Sequence, residues 1–283
     1  MMHKSLLRVA LTLAAVYACD PAGDAVSFKP TENEKYTLSE LEIRGEVAKT
    51  VIKEYSPEDS TKVAATTTLV FNKAGRVLRQ DSKDLLSGVK TSYVFGYYSD
   101  GTLKGIKYRS GGTRAEMRYT YDKRNRTREC NTISGGKKTL TEMVWYDQDG
   151  YPIKILSATE PEKYWVYTYS PDGKMLNKAS YVNDGSGTLI LNYYHSAFVG
   201  NTWTREVSQD DQGNSYARTT KVLNNYGDME ESHSESQGGE IKVHVKIQYA
   251  YDVSGNWTDM VHTSSVNDGD VSTIHKTRVI TYR

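Results

Sequence analysis

Residues 241–255 read IKVHVKIQYAYDVSG. Ile241, Val243, Val245, Ile247, Tyr249 and Tyr251 take every second place, while Lys242, His244, Lys246 and Gln248 fill the gaps. Successive side chains of a β-strand point to opposite faces, so a period of two with one apolar set predicts a half-buried strand. The run stops at Tyr-Asp-Val-Ser-Gly. There Gly supplies the positive φ of a tight turn, and the Asp carboxylate can accept from turn amides. Arg114–Tyr121 repeats the alternation, with Met117, Tyr119 and Tyr121 on one side and Arg114, Glu116 and Arg118 on the other.

The turn recurs along the chain. FNKAG ends at Gly75, YYSDG at Gly101, YDKRN at Asn125, YDQDG at Gly150, YSPDG at Gly173 and YDVSG at Gly255, with looser copies ending at Gly200 and Gly227. These anchors lie 23 to 28 residues apart. Between them falls a second set of turns, at Gly88, Gly112, Gly136, Pro161, Gly187, Gly213, Gly239 and Gly269. A fixed period of this length marks a repeat architecture. The expectation is an all-β chain, a long antiparallel β-meander of about 16–18 hairpin-joined strands forming a curved or coiled sheet.

Phe71, Tyr97, Tyr121, Tyr146, Tyr169 and Tyr251 each stand four places before an anchor, most with a second ring or aliphatic two places earlier. An offset of two keeps both on one face, so neighbouring repeats stack rings in ladders worth ~0.2–1 kcal/mol per cross-strand pair. That role is structural. Ser196 and Leu223 break the frame four places before an anchor and Lys221 breaks it six places before. The segment 192–226 is therefore where a bend or an inserted contact surface is expected.

Composition agrees with thin, half-wet sheets. The 283 residues include 22 Tyr and 4 Trp against 4 Phe, and a Tyr ring buries while its hydroxyl stays hydrated. Lys plus Arg number 36 against 35 Asp plus Glu, so no basic excess exists to neutralise phosphates and no nucleic-acid partner is expected.

The first residues read as an address. Lys4 and Arg8 precede the apolar run Val9–Ala18, which is too short for a ~30 Å bilayer and fits a signal peptide over 1–18. A polar tether over 19–40 would then lead to one repeat domain over 41–283. Val16-Tyr17-Ala18-Cys19 resembles a bacterial lipobox, in which the chain is cut before the Cys and the Cys is lipidated. Tyr17 departs from that pattern, and ordinary cleavage after Ala18, giving a secreted or periplasmic soluble protein, is the alternative. With Cys19 lipidated, Cys130 is left as a small strand residue without a disulfide partner.

The repeat resembles the YD repeats of the RHS type, found in bacterial cell-surface and secreted proteins. The resemblance rests on Tyr121-Asp122, Tyr146-Asp147 to Gly150 and Tyr251-Asp252 to Gly255, with the continuations Gly75-Arg76-Val77-Leu78 and Gly101-Thr102-Leu103. It covers residues 65–283, with Leu41–Tyr55, including Gly45, as a degenerate opening copy. It implies a ribbon of hairpins coiled into a shell-like sheet that encloses or presents another polypeptide in larger relatives. In length the chain is similar to small repeat lipoproteins of Gram-negative envelopes.

Chemistry is sparse. His3, His195, His233, His244, His262 and His275 offer no zinc-ligand spacing, so no catalytic residue, metal or cofactor is expected. His244, His262 and His275 are placed on polar strand faces. The reading is a noncatalytic exported cell-envelope lipoprotein, anchored in the outer membrane through Cys19 and facing the periplasm or the cell surface, whose sheet is a scaffold or binds a protein or glycan. One alternative is a carbohydrate-binding or carbohydrate-active surface protein that uses the Tyr ladders and Trp145, Trp165, Trp203 and Trp257 as stacking platforms. The other is an RHS-like encapsulating or chaperone role.

Overall fold

The structure is a computed structural model that describes residues 43–283 apart from 172–173, 184–187, 209–214 and 237–238. The expected signal peptide and tether, Cys19 and the anchor Gly173 lie outside the described residues.

The described residues form eighteen strands: β1 (Val47–Tyr55), β2 (Val63–Phe71), β3 (Val77–Asp84), β4 (Lys90–Tyr97), β5 (Leu103–Ser110), β6 (Thr113–Asp122), β7 (Thr127–Ser134), β8 (Lys137–Tyr146), β9 (Pro152–Ser157), β10 (Lys163–Tyr169), β11 (Met175–Asn183), β12 (Thr188–Val199), β13 (Thr202–Ser208), β14 (Ser215–Leu223), β15 (Met229–Ser236), β16 (Lys242–Tyr251), β17 (Trp257–Val266) and β18 (Val271–Tyr282). Each strand pairs antiparallel with the next, and β18 pairs with β1 from Val47–Tyr282 to Glu54–Lys276. The open curved or coiled sheet expected from the sequence is therefore wrong, because the sheet closes into an 18-stranded antiparallel barrel. Two effects favour closure. An open sheet of this width has to curl, and closing it removes both hydrogen-bonding edges.

The repeat turns supply the curvature. Asn72 Oδ1 accepts from the amides of Ala74 and Arg76 at 3.0 and 2.9 Å, and Asp147, Asn224 and Asp252 hold the amides two and four residues on in the same way. The anchors Gly75, Gly101, Gly150, Gly227 and Gly255 have φ between 75° and 87°, a region costly for any residue with a Cβ. In each of these turns, and in the turn after Tyr169, the register slips at the residue four before the anchor, as in Phe71 opposite Val77 and Tyr251 opposite Trp257. A bulge bends its strand and raises local twist. Two repeat turns, at Asn125 and Gly200, lack a slip. At Asn125 the left-handed position moves to Arg126 (φ 52°), and Gly200 sits in a two-residue turn between Val199 and Thr202.

The frame tyrosines hang each repeat on the one before. Tyr97 Oη donates to Val77 O at 2.7 Å, Tyr169 Oη to Pro152 O at 3.0 Å and Tyr251 Oη to Asp228 Oδ2 at 2.8 Å. Tyr282, in the last strand, donates to Asp252 in the same sense. Gly45 (φ 83°) takes the anchor position opposite it. The ninth repeat turn is thus split between the two ends of the chain. Asn256, fully buried, fastens it: Oδ1 accepts from the Arg44 amide at 2.6 Å, and Nδ2 donates to Arg44 O at 2.9 Å and Tyr282 Oη at 2.7 Å.

Cross-strand partners share a face. Thr50, Leu69, Gln80 and Tyr93 follow one another across β1 to β4, and Phe95, Ile106 and Met117 across β4 to β6, all buried or half-buried. The other face carries exposed Arg79, Lys83, Lys107, Arg109, Arg114, Arg118, Lys242 and Lys246. Side chains converge inside a barrel and splay outside it, so the crowded face lines the lumen. The direction in which the registers advance, taken with the right-handed strand twist, puts the same face inside. Eighteen strands ~4.8 Å apart and tilted about 40° enclose a circle roughly 35 Å across, the size that leaves a lumen in large barrels. The buried clusters run along the wall from Ile43 to Cys130 and at Val144 with Tyr146, and neither joins opposite walls.

Candidate functional site

The lumen wall changes character where the repeat frame breaks. From β10 to β14 its partners run Trp165–Ser180, Tyr167–Lys178–Tyr194–Val207, Ser196–Arg205–Thr219 and Phe198–Trp203–Lys221. Ser196, where six other repeats carry a ring, is small and buried and leaves Arg205 facing Thr219 across the neighbouring strand. Lys221 replaces the second apolar residue of its repeat.

Three cations result, each lying over rings. Arg205 Cζ is 4.2 Å from the Tyr194 centroid, Lys178 Nζ is 5.7 Å from both Tyr167 and Tyr194, and Lys221 Nζ is 4.9 Å from Trp203. Each such contact is worth about 0.5–2 kcal/mol, more as water is excluded. The same five strands contain one carboxylate, Glu206, which lies on the outer wall 3.7 Å from Arg218. Among the described residues Lys178, Arg205 and Lys221 therefore have no acid partner. Burial first, and then the charge of Arg205, pushes the Lys178 ammonium below its usual range. Arg205 Nε and Ser196 Oγ, on directly opposed residues, are buried without a hydrogen-bond partner among the described residues. This wall is a cationic aromatic surface suited to an anion that carries flat apolar faces.

The candidate stacking residues divide. Trp165 and Trp203 face this lumen wall. Trp145 lies on the outer face opposite Lys154, whose Nζ is 5.4 Å from its ring. Trp257 carries the guanidinium of Arg278 at 3.9 Å and offers its carbonyl to Arg278 Nε at 2.8 Å, so it is a packing residue. Burial lowers the Arg278 guanidinium to about 10, against the opposing pull of Asp228 and Asp252. Phe71 and Tyr146 are buried in the wall and Tyr97, Tyr121, Tyr169 and Tyr251 half-buried, as frame residues should be. Cys130 is a free, buried strand residue whose thiol is raised chiefly by burial.

One cluster had no sequence signal of the kind sought. His233 and His244 are direct cross-strand partners on the outer wall, their rings stacked at 4.2 Å and 13°. Glu231 Oε1 lies 2.9 Å from His244 Nε2 and 3.3 Å from His233 Nε2. Spacing along the chain does not mark this pair, which meets because both residues are equally far from one hairpin turn. His275 also faces outward and pairs with Asp259 at 2.7 Å, whereas His262, expected on the polar face, stands between Ile247 and Ile274 on the lumen side.

No protein-family model and no curated protein matches the chain. Among solved structures it is similar to a porin-like protein from Bacteroides uniformis at 12% identity and a TM-score of 0.48, over 83% of this chain and 98% of that one. A porin-like protein from Bacteroides vulgatus matches at 8% identity and a TM-score of 0.28, over 84% and 98%. TcdB2-TccC3 without its hypervariable C-terminal region matches at 12% and 0.35, over 79% of this chain but 14% of that one.

Proposed function

We propose that the protein is a noncatalytic, exported envelope lipoprotein whose barrel binds an acidic saccharide on its lumen wall. The observation that carries this reading is the set Lys178, Arg205 and Lys221, laid over Tyr167, Tyr194 and Trp203 on strands whose single carboxylate points outward. Sugar rings stack their C–H faces on aromatic rings, and a carboxylate or sulfate would compensate the lost hydration of the Lys178 ammonium and offset its repulsion by Arg205. Glycoside hydrolysis needs two carboxyl groups flanking the bond, and this wall offers none among the described residues. The charged outer wall suits water better than an apolar lipid band. Membrane attachment is accordingly assigned to Cys19.

The test is a titration of Trp fluorescence with oligogalacturonate and, separately, with a neutral cello-oligosaccharide. Salt-sensitive binding of the acidic chain only, weakened at least tenfold in a Lys178→Ala/Arg205→Ala variant and in Trp203→Ala, is expected. Equal response to the neutral sugar, or unchanged binding in both variants, would reject the reading. For the anchor, Cys19→Ala is expected to move the protein from the membrane to the soluble fraction.

A further inference from the structure

We propose that Glu231, His233 and His244 form a binding site for a divalent transition metal on the outer wall of the barrel, independent of the lumen surface. The three ligand atoms, one carboxylate oxygen and two imidazole nitrogens, lie within 4.8 Å of one another. Both Nε2 atoms already converge on Glu231 Oε1, at 2.9 and 3.3 Å. A zinc ion binds such nitrogens at ~2.0–2.1 Å and carboxylate oxygens at ~2.0–2.2 Å, so small side-chain rotations bring all three onto one ion.

The backbone fixes the set. Glu231 and His233 are two apart on β15 and so share a face, and the pairing of His233 with His244 brings the third ligand from β16. Lys246, directly across from Glu231, makes no ion pair with it among the described residues, and two other neighbouring cations have acids of their own. Arg218 has Glu206 at 3.7 Å and Lys242 has Glu235 at 3.8 Å, which leaves the Glu231 carboxylate to the two imidazoles. Two imidazoles with one carboxylate favour zinc, nickel or copper over calcium or magnesium, which need more oxygen ligands. The rings are half-exposed, and the wall outside them, between Arg218, Ser265 and Asp268, leaves further coordination positions open to water or a partner's side chain.

Isothermal titration of the purified protein with ZnCl₂, NiCl₂ and CaCl₂ tests this. One equivalent of zinc or nickel, no calcium, and at least a tenfold loss of affinity in His233→Ala and in His244→Ala are expected, with His275→Ala binding as wild type. Glu231→Gln, which keeps the stacked rings, is expected to weaken zinc by a smaller factor, and far-ultraviolet circular dichroism checks that each variant folds. Absence of saturable zinc binding by the wild type, or equal affinity in wild type and the two His233 and His244 variants, would overturn the proposal.

Discussion

Replacing Asn256 by Ala should open the seam of the barrel before it unfolds the rest. Asn256 has no exposed surface and its side chain makes three hydrogen bonds, one from the Arg44 amide and two given to Arg44 O and Tyr282 Oη. A net hydrogen bond is worth about 0.5–1.5 kcal/mol, and stranded partners cost more. Arg44 lies near the rim, where water can replace part of what is lost, so the expected cost is about 2–4 kcal/mol. Its location matters as much as its size. The amides that join β1 to β18 should exchange with deuterium much faster in Asn256→Ala, while β4 to β8 stay protected. Asp147→Ala removes a turn clamp away from the seam, and should raise exchange at 147–151 without touching β1 and β18. A urea midpoint within 0.5 kcal/mol of wild type, or exchange that rises evenly around the barrel, would refute the reasoning.

Other outcomes follow from the same geometry. Gly105→Ala would place its Cβ 2.6 Å from the carbonyl oxygen of Met117, a backbone atom, and should cost about 1–3 kcal/mol in urea unfolding. The Asp100 carboxyl is held at about 2, first by the Thr102 hydroxyl and amide and then by Lys123. Its folded value is depressed, so its contribution is present above the unfolded value of ~3.9 and is lost as pH falls toward 2. Asp100→Asn should therefore lose less stability than wild type between pH 5 and pH 2, by under about 1 kcal/mol because the group is half-exposed. Cys130, buried with its thiol raised, should resist a thiol reagent in the native protein and react at once in urea.

Strands and turns were legible because their signals are local. The period-two pattern of Ile241–Tyr251 and the Asp or Asn three places before five of the anchors, at Asn72, Asp122, Asp147, Asn224 and Asp252, act within a few residues, and the structure keeps both. Closure was not legible, because it depends on the sum of the register slips around the sheet. A bulge at Phe71 or Tyr251 leaves no mark beyond the turn motif itself. The seam was hidden for a related reason: Gly45 and Tyr282 belong to one turn but stand at opposite ends of the chain.

The lumen surface was half visible. Ser196 and Lys221 announced themselves as breaks in the frame, but Lys178 and Arg205 sit at places where the repeat sets no expectation, and only the pairings bring them to Tyr194. The four tryptophans do not share one surface, since Trp145 and Trp165, on neighbouring hairpins, fall on opposite faces.

The central claim is that β1 and β18 are neighbours. In the barrel Lys276 Nζ meets Glu54 Oε2 at 2.7 Å across that seam. In an open sheet of the same eighteen strands the two would lie at opposite edges, about 80 Å apart at ~4.8 Å per strand. A Glu54→Cys/Lys276→Cys protein, oxidised under native conditions and run on a denaturing gel without reductant, measures this directly. The barrel predicts a near-complete intramolecular disulfide and a faster-migrating band that reductant abolishes. Free thiols after oxidation, or crosslinks only between molecules, would contradict it.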